Sequence, residues 1–338
     1  MTDYLTKKRC LQHLEYLIAL FYLLWCPPLF AAEKIVITPE ALTPCAESSS
    51  APTDSWLDRT HTTWSERVCN TAVHFDRFFG DTRYDSEYAS SLVRVYNSFS
   101  LTQKDSTILA FNPRIRARIA LPNLQEKFNL LISDDTQDQD ALSPSAEILP
   151  EHNSNNHYSA TLRWIAQTEK KHQLDLDVGT RFNHGLQFFT QTRFRYYYIL
   201  NEAERWNFSE TLFWRAREGF GERSQLDFDH LLAANKLFRW TSAATFSEST
   251  QGVDWLEQFT LFQQLDVKQA LSYTFAFSGF TIPAFTTENY GISARYRRNI
   301  YSNWLYLELE PQLNWPLDQQ HEFTPAFILR IEAQFGQQ

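Results

Sequence analysis

Hydrophobic and polar residues alternate with a period of two from about Tyr84 to Phe335, in runs separated by turn-forming residues. The clearest run places Phe323, Pro325, Phe327, Leu329, Ile331, Ala333 and Phe335 on one face, with Thr324, Ala326, Ile328, Arg330, Glu332 and Gln334 on the other. Leu305, Leu307, Leu309, Leu313 and Trp315 oppose Glu308, Glu310, Gln312 and Asn314 in the same way, and Leu109, Phe111, Ile115, Ala117, Ile119 and Leu121 oppose Asn112, Arg114, Arg116 and Arg118. Successive side chains of a strand point to opposite sides, so these runs read as β-strands with one apolar and one polar face. The pattern predicts about fourteen strands, starting near residues 88, 107, 125, 157, 172, 187, 205, 223, 237, 254, 269, 287, 302 and 322. Residues 254 to 265 alternate poorly, which keeps twelve strands as an alternative, and Glu210 falls on the apolar phase of its strand.

Ahead of the strands the period changes. Trp56, Thr60, Trp64, Val68, Ala72, Phe75 and Phe79 recur every three or four residues between a cap at Asp54 or Ser55 and Gly80, which predicts an amphipathic helix packed on a larger body. Residues 56–83 are assigned to it. Residues 33–55 hold Pro39, Pro44, Pro52 and three consecutive serines from Ser48, the composition of a flexible linker. At the start, Lys7, Lys8 and Arg9 precede the apolar stretch Leu14 to Leu24 and the small residues Ala31 and Ala32. That order predicts a secretory signal peptide over residues 1–32, too short in its apolar part for a spanning helix. Export removes Cys10 and Cys26 and carries Cys45 and Cys69 into a compartment that permits disulfides, so these two are predicted to be bridged.

A soluble sandwich would also alternate, and two features argue against one. Nearly every strand has a long apolar face, more than one sandwich interior can use. The opposite face carries charges in mid-strand, among them Arg114, Arg116, Arg118, Arg193, Arg195, Asp175, Asp177, Asp227, Asp229, Glu308 and Glu310, which a dry core rejects unless they are paired. Placing lipid against the apolar face and a polar lumen against the other satisfies both. Closure then follows, because an unpaired backbone group in lipid costs several kcal/mol and only a barrel has no edge. The expected fold is an all-β, antiparallel up-and-down transmembrane barrel over residues 84–338, with the 56–83 helix at its periplasmic mouth or as a plug within it. Connections near Pro122, Lys170, Ala203, Asn235, Val267 and Ile300 are read as short turns, and the alternate ones as longer loops.

With these residues in place, the chain resembles the outer-membrane β-barrel proteins of Gram-negative bacteria over roughly residues 84 to 335. The signal peptide, the two-residue alternation and the last strand with Phe327, Leu329, Ile331, Ala333 and Phe335 carry the resemblance. It implies an outer-membrane location, contact with outer-membrane lipids and lipopolysaccharide, and recognition of the final strand as a signal by the barrel-assembly machinery. Gly336, Gln337 and Gln338 follow Phe335, and glycine is scarce for such a barrel, with 9 in the chain. The stretches His74-Phe75-Asp76-Arg77-Phe78-Phe79-Gly80-Asp81 and Pro113-Arg114-Ile115-Arg116 look like an exported barrel family to which no activity attaches.

Composition narrows the function. A net charge of -9 at pH 7 argues against nucleic acid. With 10 Trp, 15 Tyr and 27 Phe the chain is not disordered, yet its mean hydropathy is only -0.41. Two faces of opposite character average to such a value, and Trp164, Tyr196, Tyr198, Trp214, Trp240, Tyr296 and Trp315 suit interfacial girdles. The arginines, with Arg295 and Arg297, are read as one wall of a pore constriction and the carboxylates as the other. This favours a channel or porin-like passage for small solutes over a structural or assembly-partner barrel with a filled lumen, whose helix would meet a periplasmic protein. His157-Tyr158-Ser159 has the His-x-Ser spacing of outer-membrane phospholipases, but alternation alone puts these two residues on one face, and a lipid hydrolase is the least favoured reading. Asp134, Asp135, Asp138 and Asp140 make an acidic loop without calcium-loop spacing. No motif calls for a cofactor or a metal, and no enzymatic activity is expected.

Overall fold

The computed structural model describes residues 75, 78–79, 92–103, 107–120, 128–133, 158–168, 171–182, 185–201, 203–301 and 304–336. Fourteen strands run in chain order: β1 (Leu92–Gln103), β2 (Thr107–Ala120), β3 (Phe128–Ser133), β4 (Tyr158–Thr168), β5 (His172–Phe182), β6 (Leu186–Ile199), β7 (Glu204–Arg215), β8 (Gly219–Ala233), β9 (Lys236–Ser247), β10 (Val253–Asp266), β11 (Gln269–Phe280), β12 (Thr286–Tyr301), β13 (Leu305–Pro316) and β14 (Thr324–Gly336). Each pairs antiparallel with its neighbours in sequence, and β1 pairs with β14 from Leu92↔Gly336 to Thr102↔Ala326, which closes the barrel. Closure leaves no edge to template association. Both ends of the barrel chain therefore emerge on one rim, the rim of the turns β8–β9 and β10–β11.

The polarity is inverted relative to a soluble protein. Val178, Phe188, Ile115 and Phe111 point outward and are more than half exposed, while Asp175, Asp177 and Arg193 point inward at 1%. An outer surface of this kind fits hydrocarbon rather than water. Aromatic clusters mark its two borders. Tyr290 stacks on Trp315 at 5.3 Å with Phe323 beside it at the loop end, and Trp206, Phe228 and Trp240 group toward the turn end.

The fourteen expected strands are present, and residues 253–266 form a full strand, β10, which sets aside the twelve-strand alternative. Its alternation is weak because Leu256 and Phe262 face the lumen, where each meets apolar partners. β8 starts at Gly219 rather than near 223, since Gly219, Phe220 and Gly221 look like a loop but pair with Arg215, Trp214 and Phe213. A Cβ at Gly221 would fall 2.2 Å from the Phe213 ring, and one at Gly179 2.7 Å from Phe189. Both glycines let a lumen-facing ring lie across the backbone, and Arg215 and Arg181 stack on those rings at 3.9 and 4.9 Å. The loop-length contrast is also weaker than expected. Connections 104–106, 183–185 and 216–218 on the long-loop side have three residues each, and only 134–157 is extensive. Strand pairing takes in residues that read as loop, as at Gly219 to Gly221.

The predicted signal peptide, the linker and the Cys45–Cys69 bridge lie outside the described residues, as does the acidic loop from Asp134 to Asp140. Of the predicted 56–83 helix, Phe75, Phe78 and Phe79 are described, and all three are helical.

Candidate functional site: the lumen and its aromatic plug

Alternation carries every inward charge to the lumen, and strand register decides its partner. In the first of three groups, Arg163 of β4 faces Asp177 of β5 and donates two parallel bonds to it, Nε and Nη2 at 2.8 Å each. Gln191 adds a third bond to Asp177 at 2.9 Å, and Arg195 of β6 reaches Asp175 at 2.9 Å. In the second group, Asp229 of β8 lies between Arg205 of β7 at 2.5 Å and Arg239 of β9, whose Nε and Nη2 donate at 2.6 and 3.0 Å. Asp227 accepts from Thr241 at 2.6 Å and Gln225 at 3.0 Å. In the third, Arg297 of β12 bonds Glu308 of β13 and Glu332 of β14, Arg330 bonds Glu308, and Arg295 donates to Glu310 at 2.9 Å. Directly opposite residues on adjacent strands are the natural contact pairs of a sheet. Forked arginine bonds to carboxylates are the strong form of such pairs.

This arrangement changes the expected electrostatics. Asp175, Asp177, Asp229, Glu308 and Glu310 do not form an acidic wall facing a basic one. Each sits beside an arginine of a neighbouring strand. Arg114, Arg116 and Arg118 of β2 are half-buried on the inner face, opposite Tyr96, Arg94 and Leu92 in register, and the Arg116 guanidinium lies 5.7 Å from the Tyr96 ring centre. Among described strand residues, fifteen buried or half-buried arginines fall on the inner face against seven carboxylates. On these described strand residues arginine outnumbers carboxylate, although the whole chain is at -9.

At the turn end the wall becomes apolar. Leu237 of β9, Phe262 of β10 and Ala270 of β11 face inward, with Leu231 of β8 beside them, and they receive Phe75 and Phe79 at 1% exposure each. Phe75 stacks on Phe262 at 5.4 Å, Phe79 meets the same ring at 5.4 Å, and Phe78 sets its ring edge-on to Tyr306 at 6.0 Å. Arg297 lies 4.2 Å from the centre of Tyr306 and 5.9 Å from that of Phe78, and Arg239 lies 5.6 Å from that of Phe262. Two ion-pair groups thus end on the rings that hold the plug. The charged groups behind it are close to fully covered, with Asp229, Arg239, Arg295 and Glu310 at 1% and Arg297 and Glu332 at 0%. At this level Phe75 and Phe79 cover the apolar part of the inner face.

Sequence reading missed the plug seat. Leu237, Phe262 and Ala270 are apolar residues in the polar phase of their strands, and three such breaks near one rim were the available signal. It also left out Arg163, Arg205, Arg239, Arg330 and Glu332, since pairing follows from register. Ser159 is buried on the inner face and its Oγ donates to the Ser133 carbonyl at 3.4 Å. His157 lies outside the described residues. Phe327 and Phe335 are exposed on the outer face of β14, with Leu329, Ile331 and Ala333 half-exposed between them.

Glu210 and Glu257 are among the carboxylates that face outward. Glu210 of β7 accepts from Ser224 at 2.6 Å, so its odd phase reflects neither a rim nor a register shift. Glu257 of β10 accepts from Trp240 Nε1 at 2.7 Å and Ser242 at 2.6 Å. Removing one partner of a pair strands the other, whereas replacing both is nearly neutral. Ser224→Ala is therefore expected to lower unfolding stability by about 1–3 kcal/mol, and Glu210→Leu with Ser224→Ala to restore it. Urea titration of the refolded barrel measures both, and a double variant no better than the single one counts against this pairing.

No protein-family model matches the chain, and no curated protein matches it. Solved structures with some likeness include the outer-membrane channel DcaP of Acinetobacter baumannii, at 6% identity and a TM-score of 0.44 over 74% of this chain and 99% of that one. OprD of Pseudomonas aeruginosa gives 8% and 0.41 over 73% and 95%. The KdgM porin in complex with disordered oligogalacturonate gives 7% and 0.36 over 72% and 99%. The barrel stands on its own strand pairing, independent of these likenesses.

Proposed function

We propose that the chain is a porin-like passage for small solutes in the outer membrane of a Gram-negative bacterium, closed at its periplasmic end by Phe75, Phe78 and Phe79. The observation that carries this reading is the closed barrel with an apolar outer face and an inner face of charged and polar side chains, on which the described strands carry more arginine than carboxylate. Positive charge lining a passage raises the local concentration of anions. The short-turn rim faces the periplasm in barrels of this type, and the described rings Phe75 and Phe79 lie toward that rim.

Planar-bilayer recording tests the reading. The full chain is expected to be mostly closed, and the variant lacking residues 33–80 to conduct steadily with preference for anions. Replacing Arg114, Arg116 and Arg118 by glutamine in that variant is expected to move the reversal potential in a salt gradient toward zero. Absence of conductance from the deleted variant, in protein that still shifts on gels after boiling, sinks the passage. A second reading, a structural or assembly-partner barrel, draws on the near-zero exposure of the inner charges. It predicts no conductance in either form and crosslinks from the plug helix to a periplasmic protein.

A further inference from the structure

Glu210 of β7 stands at the middle of the outer wall. On its own strand it lies midway between Trp206, toward the turn rim, and Trp214, toward the loop rim, both on the same face. The Ser224 hydroxyl donates to its Oε2 at 2.6 Å, and Oε1 receives no hydrogen bond from a described residue. Glu257, the outward carboxylate of β10, differs. Both of its oxygens are filled within the chain, Oε2 by Trp240 Nε1 at 2.7 Å and Oε1 by Ser242 at 2.6 Å. On β6, the neighbour of β7, Thr192 also points outward, midway between Phe188 and Tyr196. Its hydroxyl makes no hydrogen bond to a described residue. The surroundings are apolar, with Phe188, Phe194, Phe208 and Leu212 exposed. On the far side of the barrel, the outer faces of β13 and β14 carry no charged or hydroxyl side chain.

We infer that a second copy of this chain covers the outer face of β5 to β8 within the membrane. A carboxylate directed at hydrocarbon is costly, most of all at mid-depth, and lipid tails offer it no donor. A protein surface can offer one, and polar side chains join membrane-embedded surfaces in this way. What β6 and β7 present selects the occupant. Thr192 brings an unfilled donor and Glu210 an unfilled acceptor, on adjacent strands and each midway between outward aromatic rings. A two-fold axis along the membrane normal between these strands turns β6 of one copy onto β7 of the other. It sets each Thr192 hydroxyl against Glu210 of the other copy, so the bond forms twice, as a self-complementary contact requires. The exposed Phe188, Phe194 and Leu212 supply apolar contact around the two bonds. Four strands about 4.8 Å apart, across an apolar band about 25 Å tall, present about 1,000 Å² from the two copies together, enough for a specific contact. The inference needs the barrel in a membrane and is independent of whether its lumen conducts.

Photo-crosslinking in the outer membrane of producing cells tests it, with p-benzoylphenylalanine in place of Leu212 on β7 or, as a control, of Leu329 on β14. Leu212 is expected to give a band at twice the mass of the chain, and Leu329 none. Light scattering of the refolded full chain in mild detergent is expected to report a dimer. Thr192→Val removes the donor from both copies, and Glu210→Leu with Ser224→Ala removes the acceptor without stranding a partner. Each is expected to raise the dissociation constant about a hundredfold, two charge-assisted bonds at about tenfold apiece, with the heat-dependent gel shift of the barrel retained. Glu257→Gln, outside the contact, is expected to leave the constant unchanged. A monomer at all concentrations, no double-mass band from Leu212, equal yields from Leu212 and Leu329, or a Leu212 adduct only of some other mass each overturns the second copy as occupant. So does a dissociation constant that the Thr192 and Glu210 variants leave unchanged. None of these readouts uses ion flow, so the passage and the association fail separately.

Discussion

Arg297→Met is expected to be the most damaging single substitution in the barrel wall, lowering stability by about 3–5 kcal/mol. Arg297 is at 0% exposure and bonds Glu308 on one neighbouring strand and Glu332 beyond it. Glu332 is itself fully buried, and its other close arginine, Arg94, stands 4.0 Å away. Methionine fills much of the same volume but leaves both carboxylates with less positive charge around them, and a buried, undercompensated charge is the costly case. The loss also removes the guanidinium stacked 4.2 Å from Tyr306, the ring on which Phe78 rests. Equilibrium unfolding of the refolded protein, followed by tryptophan fluorescence and by the heat-dependent gel shift, measures the effect. A drop under about 1 kcal/mol, the level of an exposed pair, shows that this network does not hold the wall together.

Exchanging Phe75, Phe78 and Phe79 for serine is expected to turn a mostly closed lumen into one that opens for most of the recording. Phe75 and Phe79 are at 1% exposure against Leu237, Phe262 and Ala270. Burying one phenyl side chain contributes roughly 1.5–3 kcal/mol, so losing two removes roughly 3–6 kcal/mol of seating energy. At tenfold per 1.4 kcal/mol, the closed-to-open ratio falls by more than about a hundredfold. Single-channel recording of the full-length triple variant reads this directly, and the barrel itself should unfold at nearly the wild-type urea concentration. The converse change, Phe262→Ala on the wall, should open the lumen to a similar extent. A triple variant that stays as silent as the parent, with a normally folded barrel, removes these rings from the closing mechanism.

The two variants bear on what the amino-acid sequence makes legible. The strands were readable because alternation is a local property. Predicted starts at 107, 172 and 269 coincide with Thr107, His172 and Gln269, and most others fall within a few residues. The errors are physical. Gly219 to Gly221 looks like a loop because glycine carries no side chain to reveal a face, and the compensating ring, Phe213, comes from another strand. β10 read poorly because its polar phase contains Leu256 and Phe262, whose use depends on residues far away in sequence. The charges were placed on the inner face by parity, yet their partners were not. Arg163 meets Asp177, and Asp229 meets both Arg205 and Arg239, only through a register that parity does not supply. Opposing acidic and basic walls were the simplest guess from parity, and neighbouring-strand pairing replaced them.

The seam between β1 and β14 has a consequence for how the molecule is made. Each of the other strand pairs joins segments adjacent in sequence, but Leu92 waits for Gly336. Until the last strand arrives, the growing sheet is an open ribbon with two raw edges, and the closing step joins residues separated by nearly the whole domain, the slow kind of contact to form. Arg94 stands on one side of that gap and Glu332 on the other. Their attraction acts before the backbone bonds form, so added salt should slow the zipping of the cylinder more than it slows the hairpins that precede it.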